Sequence, residues 1–318
     1  MRLASPASAA PRRCTARIST TRWSAWRADR LEGAPPRPRF PNVPTNEVFV
    51  PDHHFYPLRV ARIEKNALAW VLTFDVPELL KQRFAYRAGQ YLTLRARIDK
   101  QFVDRAYAIC SAPHEDKLQI AIKDLPGGRM SAWVRAQATP GRWLMLSPPA
   151  GSFCVDLAPL QRRHYVGFCG GSGVTALYCQ LKDILHVEPL SRYTLVLADI
   201  DEASVIFLPQ LRQLQRRLPS RFSYLLVLRD AAPGTASYTG LLDQPTIAQL
   251  FRREIDADQV DLALIVGAPA MMDDTAAMLA GQGVPEHKIL TASAALDSPA
   301  RRASTQHPIH PLAGGAIY

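Results

Sequence analysis

Short runs of strand-forming residues fill the chain between residues 55 and 153. The clearest runs lie at 70–74, 91–95 and 118–122. Turn-forming residues divide the region at Gly89, 126–128, 140–141 and 148–149. Short runs rich in β-branched and aromatic residues, separated by such turns, favour β-strands. The pattern therefore predicts a small, closed antiparallel β-barrel.

Strands and helices alternate in the second half of the chain. Apolar runs predict strands at 165–168, 193–197, 222–228 and 262–266. Helices are predicted after three of these strands, at 176–186, 208–218 and 271–281. This alternation is typical of a doubly wound parallel sheet. We therefore expect two domains, a β-barrel over 55–158 and an α/β domain over 159–295.

The two ends of the chain differ from its middle in composition. Residues 1–54 are rich in Arg, Ala, Ser and Pro, with no acid before Asp29, and residues 296–318 return to Pro, Arg and Ser. A basic, acid-poor start is typical of an organelle transit peptide. A disordered extension or a wrongly assigned start codon explains the composition of 1–54 equally well. We expect a flexible tail over 296–318 and a cytoplasmic protein.

The net charge of +10 sits largely in these ends rather than in a compact basic patch. Nucleic-acid binding is therefore a weaker explanation of the charge than a solvated surface. A basic face that docks an acidic electron-transfer partner fits the same charge. No apolar run reaches the roughly 18 residues of a membrane-spanning helix, so no membrane span is expected.

Five cysteines occur at scattered positions: Cys14, Cys110, Cys154, Cys169 and Cys179. Their odd number and irregular spacing argue against a disulfide framework and favour a reducing compartment. The sequence contains no C-x4-C-x2-C or C-x2-C cluster. It therefore encodes neither a plant-type iron–sulfur cluster nor a zinc site.

An arginine and a tyrosine lie two residues apart on the strand predicted around residue 105. Alternate residues of a strand face the same side, so Arg105 and Tyr107 point the same way. A guanidinium binds phosphate oxygens, and the tyrosine ring is placed to lie against a flat aromatic cofactor. The alternative is a surface arginine beside a core tyrosine.

A glycine turn at 127–128 leads into Arg129, Met130 and Ser131, which open a predicted short helix. Ser131 near a helix N-terminus offers N–H and hydroxyl donors to a pyrophosphate. An ordinary glycine turn with a serine helix cap is the alternative.

A second glycine turn, Gly170-Gly171-Ser172-Gly173, connects a predicted strand to a predicted helix. This context favours a nucleotide phosphate loop, although the turn is not a G-x-G-x-x-G. Asp199 lies near the end of the next strand, where an acid can bond a ribose 2′-hydroxyl. A third turn, at 267–271, follows a strand at the same edge of the sheet. Simple strand-to-helix turns are the alternative for both.

In this order the motifs resemble the ferredoxin–NADP reductase family of flavoproteins, over residues 55 to 295. The resemblance is strongest to the reductase component of phenylacetyl-CoA epoxidase-type multicomponent oxygenases, without their C-terminal ferredoxin domain. Residues 105–108 resemble the R-x-Y-S flavin motif, and 127–131 the second flavin phosphate motif. Residues 170–175 resemble the pyridine-nucleotide loop, and 267–271 the C-G-P-x-x-M turn.

The resemblance implies an NAD(P)H-dependent flavin reductase. Its barrel would bind FAD, and its α/β domain NADH or NADPH. Hydride would pass from the nicotinamide to the flavin, and electrons would leave to a ferredoxin or an oxygenase component. No residue is assigned as a catalytic acid or base. The expected cofactor-binding residues are Arg105, Tyr107, Ala108, Ile122, Lys123, Gly128, Met130, Ser131, Gly170, Gly171, Ser172, Gly173, Thr175, Asp199, Gly267 and Met271.

Several positions depart from the family pattern. Ala108 replaces a serine or threonine, and Val266 replaces a cysteine. Prolines are replaced by Ala176 and Ala268, an Asn-Arg pair by Ala198-Asp199, and a glutamate and a phenylalanine by Ala292 and Ala294. The lost hydroxyl, thiol and carboxylate are groups that position and polarise the reacting ring, so roughly 10- to 1000-fold slower hydride transfer is expected for each of these three. Phosphate contacts at Arg105 and Ser131 are kept.

Two functions follow from this balance. The first is an FAD-containing NAD(P)H reductase that serves a separate partner. The alternative is a degenerate, non-catalytic flavin-binding or scaffold subunit of an oxygenase system, which the lost groups suggest. A truncated gene product is a third possibility. Because Asp199 repels a 2′-phosphate, we expect any nucleotide preference to favour NADH.

Overall fold

The computed structural model describes residues 55–292. The expectations for residues 1–54 and 296–318, and for Ala294, lie outside this part. Two six-stranded sheets follow each other along the described chain, the first antiparallel and the second parallel. The predicted fold class is therefore confirmed. The domain boundaries at 158 and 295 stay predictions.

The first sheet has the strand order β4-β3-β6-β1-β2-β5. A bridge between Ile109, just after β4, and Ile120 of β5 closes it into a barrel. Its strands are Tyr56–Asn66 (β1), Ala69–Asp75 (β2), Tyr91–Ile98 (β3), Gln101–Ala108 (β4), Leu118–Lys123 (β5) and Trp143–Leu146 (β6). A helix, Arg129–Gln137 (α1), packs on the barrel through Met130 and Val134.

The second sheet has the strand order β10-β9-β8-β7-β11-β12. Its strands are His164–Gly170 (β7), Arg192–Asp199 (β8), Phe222–Leu228 (β9), Tyr238–Thr239 (β10), Leu262–Val266 (β11) and Ile289–Ala292 (β12). The helices are Val174–Val187 (α2), Leu208–Arg217 (α3), Gln244–Arg253 (α4) and Pro269–Gly281 (α5). The chain runs from β7 to β8 on one side and returns to β11 on the other. This reversal is where doubly wound sheets form their ligand crevice.

The central strand β7 has the burial that is typical of a strand in a parallel sheet. Residues 164 to 169 are all buried, as expected for a strand that is covered on both faces. Tyr165 and Cys169 face one apolar cluster, whereas Val166 and Phe168 face another. The first cluster also contains Val71 of the barrel. The two sheets therefore share part of one apolar core, which fixes the position of the site between them.

Among the helices within residues 55–292, none is both long and apolar enough to cross a membrane.

Candidate functional site

A cleft of about 520 Å³ lies where the carboxyl ends of β7 and β11 meet β4 and β5 of the barrel. The barrel contributes Tyr107, Ala108 and Lys123 to its walls, and the parallel-sheet region contributes 170–173 and Thr175. The volume is within the range typical of ligand and cofactor sites. Neither sheet forms this site alone, because each supplies only one wall.

The nucleotide turn on the parallel-sheet side is shaped for main-chain contacts. Gly171 has a φ of +52°, in the left-handed region. A Cβ atom on Gly173 would lie 2.6 Å from the carbonyl oxygen of Val266, so only glycine fits there. The Thr175 hydroxyl donates to the Ser172 carbonyl at 2.8 Å and holds the turn. The N–H of Val174, which begins α2, already donates to carbonyls of this turn, so the main-chain N–H groups left for an anion are those of the turn itself.

The turn after β11 packs against the first turn. Gly267 lines the cleft. A Cβ atom on Gly267 would lie 2.3 Å from Met271 Sδ, and one on Gly170 would lie 3.4 Å from the same sulfur. Met271 is not among the residues that line the cleft. Its side chain packs against both turns and does not form part of the cleft wall.

On the barrel side, Tyr107 lies opposite Leu92 of β3 and packs partly against the barrel core. Burial raises the pKa of Tyr107 to about 12, with Arg105 acting in the opposite direction. Its phenol therefore stays protonated at neutral pH. Arg105 is exposed, and its Nη1 donates to the neighbouring Asp104 carbonyl oxygen at 2.8 Å. Its guanidinium is thus accessible to a phosphate.

Ser131 is buried, and its hydroxyl serves the turn that precedes α1. The Leu125 N–H donates to Ser131 Oγ at 3.3 Å, and Oγ donates to the Gly128 carbonyl at 3.1 Å. Ser131 thus stabilises the turn before the helix, close to the capping role weighed as the alternative. The phosphate donors that this turn offers directly are the N–H groups at the start of α1.

Two of the expected cofactor-binding residues, Ile122 and Met130, have buried side chains, and their role stays a prediction. The side chains of Ile122 and Met130 are 1% and 4% exposed, inside the barrel core. Both residues lie near the glycine turn at 127–128. The phase of strand β5 and that of helix α1 nevertheless point their side chains into the barrel core. Any contact from Ile122 or Met130 to a cofactor must therefore come from their main chain.

The charge of the cleft is concentrated in one residue. Among the residues that line it, only Lys123 carries a full charge. Lys123 Nζ lies 3.4 and 3.5 Å from Oδ1 and Oδ2 of Asp199. Asp199 Oδ1 also accepts from the Ile200 N–H at 2.9 Å. Asp199 is thus held at the end of β8, next to the nucleotide turn, although it does not line the cleft itself.

The structure also reveals residues that the sequence did not indicate as part of the site. The cleft is lined by Gly89, Tyr91, Ala106, Ala121, Leu125 and Phe153 in addition to the expected residues. Tyr91 pairs with Ala108 across β3 and β4. Pairing the predicted strands at 91–95 and around residue 105 could have indicated Tyr91, because a cross-strand neighbour of a motif residue shares its surroundings.

Most of the positions that depart from the family pattern meet at this cleft, where its walls include Ala108, Ala176, Val266, Ala268 and Ala292. They leave the cleft without a thiol or a carboxylate on its walls. Hydroxyl groups are still supplied there by Tyr91, Tyr107, Ser172 and Thr175. Its small side chains and glycines leave a flat space that fits a ring system.

Comparison with known proteins agrees with this geometry. Residues 62–154 match the oxidoreductase FAD-binding domain model, and residues 168–277 match the oxidoreductase NAD-binding domain model. The chain is 30% identical over 236 residues to one of the subunits of 1,2-phenylacetyl-CoA epoxidase from Escherichia coli K12. That match covers 74% of this chain and 66% of the relative.

A second relative is the ferredoxin reductase component of 3-ketosteroid-9-alpha-monooxygenase from Rhodococcus rhodochrous. It is 36% identical over 166 residues, which cover 51% of this chain and 46% of the relative. The chain thus matches about half to two thirds of the length of these relatives.

Among solved structures, the ferredoxin NADP+ reductase of Neisseria gonorrhoeae with bound FAD and NADP has the same fold. The TM-score is 0.62 at 21% identity, and the match covers 75% of this chain and 98% of that one. Both domain models, their order and the shared fold lead to one conclusion. The chain belongs to the ferredoxin–NADP reductase-like flavoproteins, with an FAD-binding oxidoreductase domain followed by an NAD-binding one.

Proposed function

We propose that this protein is a reductase that takes electrons from NADH or NADPH and passes them through FAD to a separate protein. The observation that carries the proposal is the shared cleft, where the flavin motif residue Tyr107 and the nucleotide turn 170–173 line one space. Two cofactors that are bound on opposite walls of a cleft of this size would have their rings in contact.

The residues of the cleft act by placement rather than by acid–base chemistry. Arg105 and the start of α1 would hold the phosphates of FAD, and Tyr107 would lie against the flavin ring. The turn 170–173 would hold the nucleotide phosphates through main-chain N–H groups. FAD held by these residues would supply the redox chemistry that links a nicotinamide to an electron acceptor. The catalytic contribution of this chain is therefore the proximity and orientation of two rings.

The electron acceptor in this proposal is a protein, either a ferredoxin or an oxygenase component. No nucleic acid is proposed as a partner. Relatives named as a ferredoxin reductase component and as a reductase subunit of glycine betaine monooxygenase support this class of partner. The cysteines within residues 55–292, Cys110, Cys154, Cys169 and Cys179, are free thiols, which supports a cytoplasmic location. These relatives are named as reductases, which favours the reductase over the non-catalytic alternative that the lost groups suggest.

The test is to record the visible spectrum of the purified full-length protein and then to add NADH or NADPH without oxygen. We expect a yellow protein whose flavin absorbance is bleached by a nucleotide, with NADH acting faster. A protein that stays colourless after incubation with FAD would overturn the proposal. A yellow protein that neither nucleotide bleaches would instead support the scaffold alternative.

A further inference from the structure

Lys123 and Asp199 come from different sheets and meet at the mouth of the nucleotide turn. Lys123 is the last residue of β5, and Asp199 is the last residue of β8. Nζ lies nearly equidistant from the two carboxylate oxygens, at 3.4 and 3.5 Å. The barrel thus delivers a positive charge to a carboxylate that belongs to the nucleotide-binding sheet.

The pair is shielded from solvent. The Lys123 side chain is 15% exposed and the Asp199 side chain is 3% exposed. Charges in such surroundings interact more strongly than surface charges, and salt screens them less. The Lys123 ammonium therefore offsets the negative charge of Asp199 more strongly than it would in an exposed ion pair.

The pair also lies where a nucleotide ribose is expected. Asp199 ends the strand next to β7, and an acid at this place in a doubly wound sheet bonds the ribose 2′-hydroxyl. Ala198 pairs with Gly170, the residue at which the nucleotide turn begins. Lys123 Nζ lies 3.5 Å from the position of a Cβ atom on Gly171. The ammonium thus stands between the carboxylate and the phosphate turn.

The remaining charges nearby are already engaged. Asp201 Oδ1 caps a short turn by accepting from the Ser204 N–H at 2.8 Å, and it also lies in the field of Lys123. Arg229 donates its main-chain N–H to the Asp199 carbonyl, and its side chain pairs with Asp230 at 2.9 Å. Lys123 and Asp199 are therefore the residues that mainly decide the net charge at the expected ribose position.

We propose that Lys123 is a specificity-determining residue that sets discrimination between the two nicotinamide nucleotides from across the domain interface. Asp199 by itself repels a 2′-phosphate and accepts a hydrogen bond from a 2′-hydroxyl. Lys123 offsets part of that repulsion. The preference for NAD over NADP is then a property of the pair rather than of Asp199 alone. This inference rests on the proposed nucleotide role of the cleft.

The pair predicts opposite effects for its two members. Lys123→Gln leaves Asp199 uncompensated, so the ratio of the NADP+ Kd to the NAD+ Kd should rise about tenfold. Asp199→Asn leaves the ammonium free to attract a 2′-phosphate, so the same ratio should fall about tenfold. The double variant should lie between the two single variants, and Lys123→Arg should keep the original ratio.

The experiment is calorimetric titration of the full-length protein with NAD+ and with NADP+. It measures binding of oxidised nucleotides, so it needs neither hydride transfer nor an electron acceptor. Lys65→Gln is the matched control, because Lys65 lies on β1 over the Trp70 ring, outside the cleft. Far-ultraviolet circular dichroism checks that each variant folds.

The inference is overturned if Lys123→Gln weakens both nucleotides equally, or if Asp199→Asn and Lys123→Gln move the ratio in the same direction. Absence of binding by either nucleotide to the unaltered protein overturns it too. Normal binding with the predicted ratios, but without flavin reduction by NADH or NADPH, would sink the proposed reductase activity alone. These outcomes distinguish the two proposals, and only the absence of nucleotide binding overturns both.

Discussion

The barrel and the parallel-sheet region meet the same cleft in different ways. The barrel presents side chains to it, Tyr107 of the flavin motif and Lys123 at the nucleotide turn, whereas the exposed Arg105 of that motif is not among the lining residues. The parallel-sheet region presents main chain, in a turn where Gly173 has no room for a Cβ atom. The first wall depends on which functional group a side chain carries, whereas the second depends on how closely the backbone can approach. The two walls should therefore respond differently to substitution.

The largest effect is expected at the main-chain wall. Gly173→Ala places a methyl group 2.6 Å from the Val266 carbonyl oxygen, so the turn must move. Displacing a binding element by about 1 Å costs about 100-fold in rate. We expect a loss of that size in the rate of flavin reduction by NADH, measured by anaerobic stopped flow, together with weaker NAD+ binding.

The matched glycine for this test is Gly281, which ends α5 and whose Cβ atom would meet nothing within 4 Å. Gly281→Ala should leave the rate unchanged and raise stability by up to about 1 kcal/mol, since alanine is the better helix former. If Gly173→Ala behaves like Gly281→Ala, the main-chain wall does not hold the nucleotide.

A smaller effect, confined to FAD, is expected at Arg105, the exposed arginine of the flavin motif. Arg105→Ala removes an exposed guanidinium that would bond a flavin phosphate. A charge-assisted hydrogen bond contributes about 1.5–3 kcal/mol, so the Kd for FAD should rise roughly 10- to 100-fold. The thermal midpoint of the FAD-free protein should barely change, because the side chain is exposed.

Arg62→Ala is the control for Arg105→Ala, because Arg62 is an exposed barrel arginine that pairs with Glu64 at 2.9 Å. The measurement is the FAD content of the purified protein, followed by titration of the stripped protein with FAD. An unchanged FAD affinity in Arg105→Ala would show that the flavin motif does not act through this side chain.

The smallest effect concerns acid stability of the parallel-sheet region. Burial, together with Arg192, lowers the pKa of His164 from 6.5 to about 4. His164 is therefore neutral in the folded chain at a pH where the unfolded chain already binds the proton. Stability is kept above about pH 6.5 and falls as the pH decreases towards 4, by on the order of 1 kcal/mol.

Urea unfolding of the unaltered protein and of His164→Gln between pH 7.5 and pH 4.5 measures this effect. His164→Gln should flatten the loss of stability on acidification, whereas substitution of the exposed His287 with glutamine should not. Parallel acid slopes for all three proteins would remove His164 as the cause.

The strength of local signals explains which elements could be predicted. The strands β9 and β11 match their predicted bounds, because each is a short, continuous apolar run in a buried parallel sheet. The helix α4 was missed, although Asp243 caps its first turn and Ile247 and Leu250 have helical spacing. The two-residue strand β10 and the edge strand β12 were missed as well, because runs this short have no clear period.

The amino-acid sequence by itself determined the barrel, the parallel sheet, and the order of the flavin and nucleotide motifs. Glycine turns and apolar periods are local, so they can be recognised without a structure. The tertiary structure decided that Ile122 and Met130 turn inward and that the substituted alanines share one cleft. It also decided that Lys123 meets Asp199. These outcomes depend on how two sheets pack around a common core, and contacts between residues far apart in the chain leave no period in the sequence.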